Sequence, residues 1–288
     1  MRVLVLGATG LLGNTVYRVL AERSDLEVYG TCREERHRSF FAPELAERLV
    51  SGGDLRSNDA LVRLFDSLAP DMIVNCVGGR RREPLDLAAS LAVYAVLPRR
   101  LAIVCRTRGA RLVQVSSDGV FSGTRGRYSE DDLPDAADVY GTAKLLGEVS
   151  ESHAITLRTS VIGPELEPGS GLLDWFLARE GTCRCYTRAI FSGLPTVEIG
   201  RVIRDFVIPR PDLQGVYHVA AAPISKYDLL ALVAEEYAKK VEIVADENVV
   251  IDRSLNGERF RAATGYVAPP WPALVRSMHS YRFGLAVQ

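Results

Sequence analysis

The N-terminal segment constrains this chain more than any other. An apolar run, Val3-Leu4-Val5-Leu6, passes directly into Gly7-Ala8-Thr9-Gly10-Leu11-Leu12-Gly13 and then into an amphipathic stretch that reaches Glu22. Glycines at a G-x-x-G-x-x-G spacing between a strand and a helix permit a tight turn and let the backbone approach a pyrophosphate. They also let the helix pack closely on the sheet with its N-terminus toward the anion. A glycine triplet alone is a weak signal, but this strand-turn-helix context reads as a dinucleotide-binding turn. Gly7, Thr9, Gly10, Leu11, Leu12 and Gly13 are therefore expected to contact a cofactor.

The rest of the first half repeats the alternation. Val3 to Leu6, Glu27 to Gly30, Met72 to Cys76, Leu112 to Ser116 and Ile155 to Arg158 read as strands. Leu11 to Glu22, Asn58 to Leu68, Leu85 to Arg106 and Tyr140 to Ser152 read as helices between them. Short β-branched runs alternating with longer amphipathic ones imply an α/β fold, a Rossmann-type doubly wound parallel sheet. Beyond about residue 160, Gly163-Pro164, Pro168-Gly169, Pro209, Pro211, Pro223, Pro269 and Pro270 punctuate shorter elements. The expected organisation is a dinucleotide-binding domain at 1–162, also receiving roughly 190–220. Residues 163–288 are then mainly a smaller, interleaved C-terminal α/β substrate domain.

In such a sheet ligands bind beyond the carboxyl ends of the strands, so chemistry should follow each strand. The second strand leads into Arg33, with Glu34 and Glu35 beyond it. An acid at the strand end would suit the ribose of NAD and an arginine the 2'-phosphate of NADP, so Arg33 points to NADPH, with NADH as the other option. Asp54 and Leu55 are placed to meet the adenine, and Cys76-Val77-Gly78-Gly79 supplies small residues where backbone passes the cofactor.

Ser116-Ser117-Asp118 ends a later strand, and Tyr140-Gly141-Thr142-Ala143-Lys144 starts a helix. Tyr and Lys four apart share one helix face, so phenol and ammonium can enter the same cleft. A phenol titrating near 10 must come down by about 3 units to move protons near neutrality, and a neighbouring ammonium lowers it. This assigns Tyr140 as the proton donor to a substrate oxygen, the Ser117 hydroxyl as its holder, and Lys144 as the group that tunes Tyr140 and binds the nicotinamide ribose.

Composition closes off other classes. Hydrophobic residues make up 47% and charged residues 25%, and 35 basic against 36 acidic side chains leave a net charge of -1. That balance gives no pull toward nucleic acid or an anionic membrane. Gly7 to Gly13 interrupts the N-terminal apolar run too early for a signal peptide, and no other stretch reads as a membrane span. Five scattered cysteines suggest reduced thiols in a cytoplasmic compartment, and Cys183-x-Cys185 without a second pair does not make a metal site. Glu130-Asp131-Asp132 reads as a solvated acidic loop and His218 as a buried structural histidine.

Taken together, these residues resemble the extended short-chain dehydrogenase/reductase superfamily. Ser116-Ser117-Asp118-Gly119-Val120-Phe121-Ser122-Gly123 is similar to the S-T-D-x-V-F-x-G of the dTDP-4-dehydrorhamnose reductase branch. Tyr140-Gly141-Thr142-Ala143-Lys144-Leu145-Leu146-Gly147-Glu148 is similar to its Y-G-x-x-K-x-x-G-E, and Leu157 to Ser160 and Gly193 to Thr196 resemble further segments. The resemblance implies reduction of a 4-keto-6-deoxyhexose carried on a nucleoside diphosphate, with Ser117, Tyr140 and Lys144 as the catalytic set. It also implies a homodimer. Two departures stand out: Val161 where the branch usually has Trp, and Tyr94 where it usually has Asn. Asp118, Val120, Phe121, Trp175, Arg188 and Arg253 are the candidate substrate contacts, with Lys226 beside them. An NAD-dependent nucleotide-sugar 4-epimerase would use the same three catalytic residues. A 4,6-dehydratase would want an acid where Gly119 stands. A non-catalytic NADP-binding subunit, such as the regulatory partner of methionine adenosyltransferase, resembles the same branch.

Overall fold

Seven parallel strands form the central sheet. They are β1 (Arg2–Leu6), β2 (Glu27–Cys32), β3 (Leu49–Ser51), β4 (Met72–Asn75), β5 (Arg111–Val115), β6 (Ala154–Arg158) and the late strand Gly215–His218. The structure is a computed structural model that describes residues 1–78, 86–167, 169 and 171–283; Gly79, Leu85 and Pro168 lie outside them. From one edge the order is Gly215–His218, β6, β5, β4, β1, β2, β3, with every neighbouring pair parallel. Strand order reverses between β4 and β1, which makes a crevice at their carboxyl ends, where Gly7 and Cys76 begin their loops.

Both faces of the sheet are covered, and the side-chain period of two sorts its residues between two cores. Val3, Val5, Met72, Val74, Val113, Val115, Ile155 and Leu157 enter one cluster. Leu4, Leu6, Ile73, Leu112 and Ala154 enter the other. On the first side lies α1 (Leu11–Ala21), packed on the helix Thr196–Val202, with Gly200 where a β-carbon would come within 2.9 Å of Val19. On the second side lie Asn58–Leu68 and the helical run Leu87–Arg108.

That run corrects two expectations. At 22 residues it is long and apolar enough, by length and composition alone, to cross a membrane, although no such stretch was expected. Here Tyr94, Ala95, Leu97, Leu101, Ala102 and Cys105 are buried in the fold, as in the core helix of a sheet protein. It is also irregular: Leu91–Val96 is π-helical between α-helical segments Leu87–Ser90 and Leu97–Arg108.

Past β6 the chain builds small sheets from Ala189–Phe191, Ile224–Ser225 and Ile251–Asp252, and from Thr182–Tyr186 with Glu242–Asp246. It then returns to the main sheet through Gly215–His218. The helix expected from Tyr140 to Ser152 is Val139–Leu146 and stops at Gly147. A β-carbon on Gly147 would lie 1.9 Å from the Tyr94 carbonyl oxygen, so the helix ends where its backbone meets the π-helical turn.

Candidate active site

The glycine turn is shaped for close approach. Gly7 has φ +75°, and its N–H donates to Thr31 Oγ1 at 2.9 Å, tying the turn to β2. A β-carbon on Gly13 would lie 2.0 Å from the Gly7 carbonyl oxygen, and one on Gly7 would lie 3.1 Å from the Cys76 carbonyl oxygen and the Val77 Cα. Gly10 caps α1 without a side-chain bond, and no acid stands in the first helical turn. The orphan N–H groups there remain available to an anion. This cradle fits the diphosphate of a dinucleotide. Thr9 and Leu11 are half-buried beside exposed Gly10, and Leu12 is buried.

The other expected cofactor residues fall around the same crevice. β2 runs to Cys32, two residues beyond the expected Gly30, so Arg33 directly follows it, exposed and without an ion-pair partner among the described residues. Asp54 lies beyond β3, its carboxylate held by Arg56 Nε at 2.8 Å and Nη2 at 3.0 Å, which keeps its pKa below the usual carboxylate range. An adenine amine would have to share that carboxylate with Arg56. Leu55 packs at the edge of the second core. Cys76, Val77 and exposed Gly78 follow β4, and burial pushes the Cys76 thiol up to about 12.

The catalytic candidates meet across Gly119. A β-carbon on Gly119 would lie 3.1 Å from Tyr140 Cε1 and 3.2 Å from Ser117 Oγ, so the phenol ring and the hydroxyl border one small volume. Ser117 Oγ accepts the Gly119 N–H at 3.0 Å and donates to Asp118 Oδ1 at 3.2 Å, capping the short 3-10 turn Asp118–Val120. Tyr140 is half-buried in the first turn of Val139–Leu146, where Asp138 Oδ1 accepts the Gly141 N–H at 2.7 Å. A β-carbon on Gly141 would lie 2.1 Å from the Gly119 carbonyl oxygen, so Gly119 and Gly141 let the Ser117 and Tyr140 segments touch. From the sequence Gly119 stood out only as the place where a dehydratase would carry an acid, because only the contact between segments reveals the need for both glycines.

Lys144 is 8% exposed, donates from Nζ to the Val115 carbonyl oxygen at 2.8 Å, and is held down to about 8 by burial. Its charge acts on Cys76, whose carbonyl oxygen would lie 3.1 Å from a β-carbon on Gly7, so the Tyr-Lys pair and the glycine turn border one crevice.

The substrate candidates divide. The Val120 and Phe121 side chains, expected at the sugar, are 0% exposed and sit in a core cluster with Tyr128 and Leu255. Phe121 stacks on Tyr128 at 4.2 Å between ring centroids, beneath the Arg158 guanidinium. Trp175 is half-buried against the main core, with Arg179 over its ring at 4.6 Å. Arg188 is exposed beside the strand Ala189–Phe191. Lys226 starts the helix Lys226–Glu236. Arg253 does approach the site, with Nη2 3.6 Å from Asp138 Oδ2 at the head of the Tyr140 helix. Asp118 stays beside Ser117.

Behind the site lies a buried polar network. Glu148 accepts Arg158 Nε and Nη2, both at 2.8 Å, and the Ser116 hydroxyl at 2.7 Å. Arg158 Nη1 donates to His218 Nε2 at 3.2 Å, which leaves the proton on Nδ1 for the Tyr128 carbonyl oxygen at 3.0 Å. The acidic run is only partly solvated, contrary to expectation: the Glu130 side chain is 4% exposed and accepts the His218 N–H at 2.8 Å.

Burial and the Arg158 charge hold His218 down to about 3. The unfolded chain takes up this proton near pH 6.5, so the native state loses stability as pH falls from there toward 3. Between pH 7 and 4.5 the loss from this residue is about 3 kcal/mol at 1.36 per unit. His218→Gln, which keeps an acceptor and a donor, is expected to flatten the decline by that amount in urea unfolding; equal slopes for both proteins would refute the assignment.

Comparison with known proteins gives one consistent family. The profile of the RmlD substrate binding domain matches residues 1–278. Methionine adenosyltransferase 2 subunit beta of Bos taurus is 35% identical over 261 residues, covering 82% of this chain and 72% of that protein. A probable low-salt glycan biosynthesis reductase, Agl14 of Haloferax volcanii, is 34% identical over 280 residues, covering 91% and 87%. Among solved structures, dTDP-4-dehydrorhamnose reductase of Bacillus anthracis in complex with NADP superposes with a TM-score of 0.78 at 19% identity, covering 97% of this chain and 99% of that one.

Proposed function

Because this chain belongs to the RmlD substrate-binding-domain family of extended short-chain dehydrogenase/reductases, we propose that it is an NADPH-dependent reductase of the 4-keto group of a nucleoside-diphosphate 4-keto-6-deoxy sugar, acting in the cytoplasm. The observation that carries this reading is the meeting of Ser117 and Tyr140 across Gly119, in the cleft that the glycine turn also borders. The Gly7 to Gly13 turn and the first turn of α1 would hold the diphosphate, and Lys144 the nicotinamide ribose. The bound nicotinamide nucleotide supplies the hydride. Ser117 then turns its hydroxyl from Asp118 to the substrate carbonyl oxygen and orients it, while Tyr140 gives its phenolic proton to that oxygen. Lys144 is mostly ammonium at pH 7 and stabilises the phenolate left behind.

Exposed Arg33 supports NADPH over NADH, since a guanidinium at the end of β2 suits a 2'-phosphate. The test is consumption of NADPH by the purified protein with a dTDP-4-keto-6-deoxyhexose. Turnover is expected, with Arg33→Ala losing about tenfold in preference for NADPH over NADH. A second reading is favoured by the likeness to methionine adenosyltransferase 2 subunit beta, namely a cofactor-binding regulatory subunit. Tight NADPH binding without turnover on any keto sugar would support that reading and refute the reductase.

A further inference from the structure

We propose that Tyr94 is a positioning residue for Tyr140 and Lys144, and that the π-helical turn Leu91–Val96 exists to present it. This inference rests on the catalytic reading of that pair. The Tyr94 ring is 5% exposed and touches both partners. Its centroid is 5.2 Å from that of Tyr140 with the planes at 83°, an edge-to-face contact. The Lys144 Nζ lies 5.4 Å from the same ring centroid.

A third point of attachment is the Tyr94 carbonyl oxygen, seated where a Gly147 side chain would otherwise stand. Tyr94 therefore grips the helix Val139–Leu146 at its start, its middle and its end. Each grip has a physical role. The edge-to-face contact restricts the Tyr140 ring to one plane, since aromatic pairs favour that geometry over a sandwich. The electron-rich ring attracts the ammonium, opposing the burial that disfavours its charge. Among the described residues the Val115 carbonyl is the hydrogen-bond acceptor of Nζ, and the ring adds a second attraction.

Changes from α to π and back are rare and collect at functional sites, because one inserted residue re-aims the side chains around it. Leu91–Val96 is such a turn, and Tyr94, whose ring and carbonyl both meet the neighbouring helix, lies inside it.

The chain contains four lysines, so the side-chain signals of ¹³C-labelled lysine can be assigned by elimination, with Lys144→Arg marking the signal of interest. Titrating the protein without substrate reads the Lys144 midpoint directly. Tyr94→Leu is expected to lower it by about half a pH unit, while Tyr94→Phe, which keeps the ring, restores it. In the reductase assay Tyr94→Leu should lower kcat about tenfold with little change in KM for the cofactor, and Tyr94→Phe should recover most of the loss. Unfolding curves establish that each variant is native. An unmoved midpoint in folded Tyr94→Leu, or a Tyr94→Phe protein that behaves like Tyr94→Leu, overturns the proposal. A shifted midpoint in a protein without turnover upholds the positioning role and removes the reductase reading instead.

Discussion

Glu148→Ala is expected to lower the free energy of unfolding by about 3–5 kcal/mol, a large part of what a domain of this kind possesses. The Glu148 and Arg158 side chains are 8% and 6% exposed and face each other through two bonds of 2.8 Å. Removing the carboxylate leaves a guanidinium with little water, its remaining described partners being the His218 nitrogen and the Phe121 face. It also strips the Ser116 hydroxyl of its acceptor, one residue from Ser117. The cost is that of an orphaned buried charge more than the value of a bond. Two comparisons isolate it. Arg210→Ala breaks the exposed pair with Asp212 and should change little. Glu148→Ala combined with Arg158→Met removes both charges and should recover a good part of the loss, because apolar replacement of a buried pair is often neutral. Urea unfolding of the four proteins checks this, and a double variant as unstable as Glu148→Ala would mean that packing, not charge, holds the site.

What the sequence disclosed and what it withheld follow from range. The glycine turn and Tyr140-x-x-x-Lys144 are local patterns, readable because a strand-turn-helix needs its glycines at fixed spacing and a helix brings i and i+4 together. The parallel sheet was readable for a similar reason, in that buried strands alternate with amphipathic helices. Residues whose roles depend on distant partners were not. Val120 and Phe121 belong to a motif beside Ser117, yet Leu255, far along the chain, completes the cluster that buries them. Glu130 looked solvated until His218 supplied its partner. The end of the Tyr140 helix was invisible for the same cause, since Gly147 stops it against a carbonyl belonging to a different helix. β3 is three residues long, too short to show a period.

Tyr140→Phe should separate chemistry from binding. The change removes one oxygen and keeps the ring, so the edge-to-face contact with Tyr94 and the packing on Gly119 persist. Stability is expected to stay near that of the parent, and NADPH affinity to change by no more than about threefold, because the diphosphate cradle is untouched. Turnover is expected to fall by about 100- to 10,000-fold, the usual worth of a positioned general acid. The rate should track kcat and kcat/KM together, as for an interaction made only in the transition state. Lys144 sets the direction of the pH effect: held to about 8, it is ammonium at neutrality and loses its charge above that value. Support for the phenolate then disappears, so the pH profile of the parent should change slope near 8, while the residual rate of Tyr140→Phe should not. A variant with parental turnover would remove Tyr140 from the chemistry and require a different proton donor in the cleft.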